Sequence, residues 1–255
     1  VKSCDVLISN FSGGDALELC IESHIKRTRY PNYKTVVFDS TGEGSRDRVY
    51  LRQLESAGKI RLLTAEERVN HGGAIMALLK NCHADYACLL DNDMEILGPN
   101  WLQILTGLFD APKVLGASRF ISARVHRKNY LAPAYDASCM ILDTEKYRKY
   151  IGDIVWDNAD IRLEDYKYRN IYDNIPKPDP FSGYVYRDTE HVFTEKILFE
   201  NTDGLIMRAL PPDFVGKEIF HSGGISRNYF RPEHPVIADR LAKIRKRLEK
   251  LRGKN

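Results

Sequence analysis

The stretch Leu89-Leu90-Asp91-Asn92-Asp93-Met94-Glu95-Ile96 constrains this chain more than any other. The apolar run from Tyr86 to Leu90 reads as a buried strand that stops in two carboxylates two residues apart. On an extended backbone residues i and i+2 point the same way. Asp91 and Asp93 are therefore expected to converge at the carboxyl end of a strand, where open α/β sheets place their ligands. Two hard oxygen ligands beside a cleft suit Mg²⁺ or Mn²⁺ held jointly by protein and substrate phosphates; an acidic turn without a metal is the plain alternative. An EF-hand loop is excluded, because its sixth and twelfth positions require Gly and Glu and here hold Ile96 and Leu102.

Upstream, β and α signals alternate. Cys4 to Asn10 reads as a strand followed by the turn Phe11-Ser12-Gly13-Gly14. A helix is expected from Asp15, with Asp15 as N-cap, Glu18 completing a capping box, and Leu17, Cys20, Ile21 and Ile25 on its apolar face. Lys34 to Asp39 is a second strand that also ends in a carboxylate, and strand, helix, strand at this spacing is a parallel βαβ unit. A charged helix over 46–57, a short strand over 60–63 and a helix over 72–81 complete the first half. Further on, Trp101 to Phe109 and Thr144 to Tyr150 read as helices, and strands are expected at 114–117, 138–142 and 205–210. The Tyr-, Asp- and Pro-rich span from Trp156 to Gly183 lacks periodicity and is expected to be a long loop or lid facing substrate. A helix opens after Arg187-Asp188-Thr189-Glu190, and His221 ends another apolar run.

A chain of 255 residues supports one domain of two lobes. Its net charge of +3 gives no case for nucleic acid as a partner. Five scattered cysteines without CxxC spacing indicate neither a disulfide framework nor a zinc site, and fit a reducing, cytoplasmic compartment. No apolar run approaches the roughly 18 residues of a membrane span, and no signal-peptide pattern opens the chain.

The order of these signals resembles family-2, inverting nucleotide-sugar glycosyltransferases with the GT-A fold. The resemblance rests on Ile8-Ser9-Asn10, on Val36-Val37-Phe38-Asp39, and on Asp91-Asn92-Asp93 followed by Pro99 and Trp101-Leu102. It continues through the small-residue strand Ala137 to Leu142, Arg187-Asp188-Thr189-Glu190, and His221-Ser222-Gly223-Gly224-Ile225-Ser226. It implies a mixed, mainly parallel α/β sheet flanked by helices, with a nucleotide-binding half over 1–98 and an acceptor-binding half over 99–231. It also implies Asp93 and His221 as ligands of Mn²⁺ or Mg²⁺, Asp91 at the ribose or the metal's water shell, and Ser9, Asn10 and Asp39 around the base, with UDP favoured. Asp188 takes the place of the general base and Glu190 that of an acceptor-positioning group. The implied reaction is a single, non-processive transfer from a nucleotide-sugar to a glycan or lipid-linked acceptor, as in polysaccharide biosynthesis. The chain departs from the pattern at Arg187, where the family usually has Glu, and after His71-Gly72-Gly73, where the usual Asn or Arg is missing. A sugar-phosphate nucleotidyltransferase and an inactive binding module of the same fold are the alternatives.

Residues 232–255 read as a basic amphipathic helix. Ile237, Leu241, Ile244, Leu248 and Leu251 make an apolar seam at 4-3-4-3 spacing amid Lys and Arg. That seam could lie peripherally on an anionic membrane, pair with a second subunit, or pack on the catalytic body.

Overall fold

Strands covered by helices on both faces read as continuous apolar runs, and the first half of the chain is built from them. The computed structural model describes residues 1–126, 129–154, 156, 159–175, 183–187, 189–201, 203–222 and 235–253. The order opens β1 (Cys4–Asn10), α1 (Asp15–Arg27), β2 (Tyr33–Asp39), α2 (Arg46–Ser56), β3 (Arg61–Thr64), α3 (His71–Lys80), β4 (Tyr86–Asp91), β5 (Met94–Ile96) and α4 (Trp101–Thr106). It continues with β6 (Val114–Ile121), β7 (Arg124–His126), β8 (Asn129–Leu131), β9 (Ala134–Asp143), α5 (Thr144–Lys146), β10 (Ala159–Arg162), β11 (Tyr184–Arg187) and α6 (His191–Phe199). β12 (Ile206–Ala209), α7 (Phe214–Lys217), β13 (Ile219–His221) and α8 (Pro235–Arg252) complete it.

The main sheet has seven strands in the order β12-β6-β9-β4-β1-β2-β3. β1 pairs in parallel with β2 and β4, β2 with β3, and β12 with β6, while β9 runs antiparallel between β4 and β6. Alternation along each strand sends Val6, Ile8, Cys88 and Leu90 to one face, where Leu17, Ile21, Trp101 and Leu102 from α1 and α4 cover them. Leu7, Ala87 and Leu89 face the other side, under Ile75 and Leu78 of α3 and Phe193 of α6. Each such aliphatic side chain contributes about 1.5–3 kcal/mol on burial. All five cysteines are buried free thiols.

Three expectations are corrected. Asp15 does not cap α1: Gly14 takes the N-cap position with no side-chain cap bond. The carboxylates of Asp15 and Glu18 turn sideways to Arg46 at 2.6 Å each, because an arginine fork from α2 offers more than a single backbone N–H. The expected lid over 156–183 is in its described part a packed layer. Trp156 is buried and stacks on Phe193. β10, β11, β8 and β7 form a second sheet over a small core of Tyr130, Tyr166, Tyr172 and Val185. Its tyrosines therefore serve packing, with Tyr166 Oη donating to Glu195 at 2.6 Å. Finally, β9 begins at Ala134 rather than Ser138, and α4 stops at Thr106 rather than Phe109.

Of the three roles open to the C-terminal seam, packing on the body is the one observed. Ile244 and Leu248, with Leu241 and Leu251, close over Ala16 and Leu19 of α1. Arginines from α8 fix the angle: Arg245 meets Asp15 at 2.6 Å, Arg252 meets Glu18 at 2.6 Å and Glu22 at 2.5 Å, and Arg247 meets Glu95. No described helix is long and apolar enough to cross a membrane.

Candidate active site

Strand register delivers the site. Ser9 of β1 lies across from Asp91 of β4, and Asn10 lies across from Asp39 of β2. Their side chains thus gather at the carboxyl edge of the sheet, as expected. β13 pairs antiparallel with β5 so that His221 lies across from Met94, and Ser222 N donates to Asp93 O at 3.0 Å. That pairing brings a histidine from the far end of the chain to the acidic turn.

One oxygen or nitrogen each from Asp91, Asp93 and His221 lie within 4.8 Å of one another. His221 Nε2 is 3.1 Å from Asp93 Oδ1 and 4.0 Å from Asp91 Oδ2. The expected reason for this convergence is corrected. Residues 92 and 93 form a turn between β4 and β5, so extended-strand alternation does not align the two carboxylates. The turn is held by Asn92, whose Nδ2 donates to Asn10 Oδ1 at 2.9 Å.

The corner is electrostatically unfinished. Burial and the charges of Asp93 and Asp136 push the Asp91 carboxyl above its ordinary range, against the pull of His71 and His221. Burial alone would lower His221, but the hydrogen bond to Asp93 and the charges of Asp93, Asp91 and Asp136 outweigh it and hold the imidazole above its usual value. Clustered carboxylates that stabilise a proton on a neighbouring histidine would also stabilise a divalent cation. Two carboxylates and one imidazole form a donor set that fits Mn²⁺ well, and Mg²⁺ with the oxygens dominating.

Asn10 and Asp39 behave differently. Asp39 is wholly buried, with its oxygens accepting from Arg48 Nε, from Asn10 Nδ2 at 2.8 Å and from Thr41 Oγ1 at 2.9 and 3.0 Å. Asn10 Nδ2 also reaches Asp47 Oδ2 at 3.2 Å, and Asn10 Oδ1 accepts from Gly13 N at 3.1 Å. A Cβ on Gly13 would lie 2.7 Å from Asn92 Nδ2 and 2.8 Å from Asn10 Oδ1, so this close approach needs glycine. Asn10 and Asp39, expected around the base, here bond to the protein itself at the same sheet edge as the acidic corner.

Two residues enter without having been singled out. His71, the first residue of α3, sets Nε2 3.8 Å from Asp91 Oδ1 and Nδ1 3.3 Å from Ser9 Oγ. Asp136, on the overhang of β9 beyond its pairing with β4, adds negative charge to the corner while holding Arg119. Both stand where a strand or helix meets the same sheet edge, which was the available signal. Glu190 occupies the N-cap position of α6. Asp188 and residues 223–226 of the final motif lie outside the described residues. Arg187, the departure from the family pattern, pairs with Glu195 of α6 at 2.8 Å.

The family model for glycosyl transferase family 2 matches residues 5–177. The chain belongs to glycosyl transferase family 2. A curated relative, Uncharacterized protein y4gI of Sinorhizobium fredii, is 24% identical over 101 residues, 39% of this chain and 11% of that protein. Among solved structures, the mannosyltransferase PcManGT from Pyrobaculum calidifontis, in complex with GDP-Man and Mn²⁺, is 16% identical at a TM-score of 0.47. The match covers 58% of this chain and 46% of that one. TarS 1-349 of S. aureus is 10% identical at a TM-score of 0.47, covering 72% of this chain and 60% of that one. Glucosyl-3-phosphoglycerate synthase from Mycobacterium tuberculosis, in complex with Mn²⁺, UDP and glucosyl-3-phosphoglycerate, is 20% identical at a TM-score of 0.37, covering 47% and 44%. The chain thus spans about half the length of these solved relatives and a smaller part of the curated one. For a family-2 chain, the mixed, mainly parallel α/β sheet with its acidic corner at the carboxyl edge is the expected GT-A arrangement.

Proposed function

We propose that this chain is the catalytic domain of an inverting glycosyltransferase that moves one sugar from a nucleotide-sugar to a glycan or lipid-linked acceptor. The observation that carries the reading is the convergence of Asp91, Asp93 and His221 at the sheet edge of a family-2 chain. In this reading residues 1–98 bind the nucleotide and 99–231 the acceptor, on the cytoplasmic side and peripheral to a membrane.

Asp93 and His221 would hold Mn²⁺ or Mg²⁺, with Asp91 beside them. A bound divalent cation supplies charge stabilisation for the departing nucleoside diphosphate. Ser9 and His71 face the same corner, where hydroxyl and imidazole can orient the donor's ribose or phosphates. Asp39 would take a hydrogen bond from the base once Thr41 turns aside from its carboxylate. Asp188 would accept the proton of the acceptor hydroxyl as it attacks the anomeric carbon, a role worth about 10²–10⁴ in rate. Attack opposite the leaving group inverts that carbon. Glu190 would position the acceptor.

Calorimetric titration of UDP, with and without Mn²⁺, tests the donor site. Metal-dependent binding that Asp93→Ala abolishes supports it, and screening of UDP-sugars for transfer follows. GDP, CDP and dTDP are the next nucleotides, and no binding of any of the four would contradict the reading.

A further inference from the structure

Beside its contact with α1, α8 borders a groove of about 300 Å³ at β13. Phe220 gives it apolar surface beside the buried Ile244, and Arg240, Lys243, Lys246, Arg247 and Lys250 line it with Ser222. Among the described residues that line it there is no carboxylate, and Asp239 of α8 pairs with the lining Lys243 at 2.7 Å. Strand alternation points Phe220 away from His221, so the groove lies behind the metal corner and is separate from it.

α8 sorts its cations by type. Arg245, Arg247 and Arg252 are engaged with carboxylates of the body, where a planar fork makes fixed, directional bonds. Arg247 also covers the Phe220 ring, 4.4 Å from its centroid. The lysines at 243, 246 and 250 are exposed along the groove; Lys243 also meets Asp239 within its own helix at 2.7 Å. Ammonium groups are compact, hydrated point charges suited to phosphates that exchange. Phe220 is 38% exposed beside them.

We propose that this groove seats the protein on an anionic lipid bilayer, with phosphate headgroups against Lys243, Lys246 and Lys250 and Phe220 entering between them. Charge complementarity selects this occupant: Lys243, Lys246 and Lys250 outnumber Asp239 on this face of the helix, and a net cationic stripe matches a plane of phosphates. An exposed aromatic at its edge matches the apolar layer just beneath the headgroups. The apolar seam of α8 stays on α1 throughout, so docking requires no release of the helix. The inference is independent of which sugar is transferred, or whether one is.

The test is co-sedimentation of the full chain with vesicles of phosphatidylcholine and with vesicles enriched in phosphatidylglycerol. The native chain is expected on the anionic vesicles alone, with binding that weakens steeply as salt rises. Lys246→Glu with Lys250→Glu is expected to lower the partition coefficient by about tenfold or more. Both positions are exposed, so unchanged thermal unfolding will certify the fold of the double variant. No binding of the native chain to anionic vesicles at low salt would overturn the proposal, as would equal binding by the double variant. Inorganic phosphate that displaces the chain as well as vesicles do, at equal phosphate concentration, would assign the groove to a free phosphate compound and also overturn it.

Discussion

Asp39 ends β2, Asp91 ends β4 and Asp93 follows it, so the two groups lie at one edge of one sheet with β1 between them. By pattern they are the same object, an apolar run that stops in aspartate. Asp39 has been answered by the protein itself: a buried guanidinium, an amide and a hydroxyl occupy its oxygens. Asp91 and Asp93 have been given each other, a nearby Asp136, and imidazoles. A carboxylate cluster that its own chain neutralises is structural, whereas one left with excess negative charge is prepared for a cation from outside. That difference separates Asp39, which in the proposed function reaches the base only after Thr41 turns aside, from the corner proposed to hold the ion.

The contrast can be broken most forcefully at Arg48. Arg48→Ala would strand the buried Asp39 carboxylate, and a stability loss of about 3–5 kcal/mol is expected from urea unfolding. An unchanged midpoint would mean that Asp39 is not held as described. At the corner the signature is in pH instead. His221 is held above its ordinary 6.5 in the metal-free protein, so its proton must leave before the ring nitrogen can serve a cation. Mn²⁺ affinity should therefore climb as pH rises above 6.5 through the raised titration of His221, by up to about tenfold per unit, and level off once the ring is neutral. His221→Gln should flatten that slope, and a slope that survives would remove His221 from the ligand set.

Smaller effects sharpen the boundary between the two groups. His71→Ala should weaken Mn²⁺-dependent nucleotide binding by about tenfold, the loss of one hydrogen bond to a charged partner, while unfolding stays within about 0.5 kcal/mol. Ser45 caps α2 by accepting from Arg48 N at 3.1 Å and contacts Thr41 Oγ1 at 2.7 Å. Ser45→Ala should cost about 1 kcal/mol of stability and leave metal binding untouched.

Much of this was legible in the sequence, for reasons that also mark where legibility ends. Apolar, β-branched runs closed by polar residues located β1, β2 and β4, because burial on both faces leaves little choice of residue. The same runs could not say which terminal aspartate the chain neutralises itself. That depends on Arg48, which reaches Asp39 from the next helix. His71 and Asp136 stayed hidden because each reaches the corner through the placement of another element, with no local motif. The seam of α8 was visible as a periodicity, but periodicity names an apolar face and not its partner; Ala16 and Leu19 of α1 supplied that. Missing periodicity over 156–183 suggested a loop facing substrate, yet Tyr166 and Tyr172 close a small core with Tyr130, as the packing expected of such aromatics requires.

The most direct measurement is a Mn²⁺ titration followed by electron paramagnetic resonance for the native chain, Asp93→Asn and Asp39→Asn. The account predicts that the native chain binds Mn²⁺. It predicts that Asp93→Asn loses the ion with its fold intact, and that Asp39→Asn is less stable yet binds Mn²⁺ with native affinity. Binding that survives Asp93→Asn, or that is lost equally in Asp39→Asn, would contradict the division between an open metal corner and a self-neutralised Asp39.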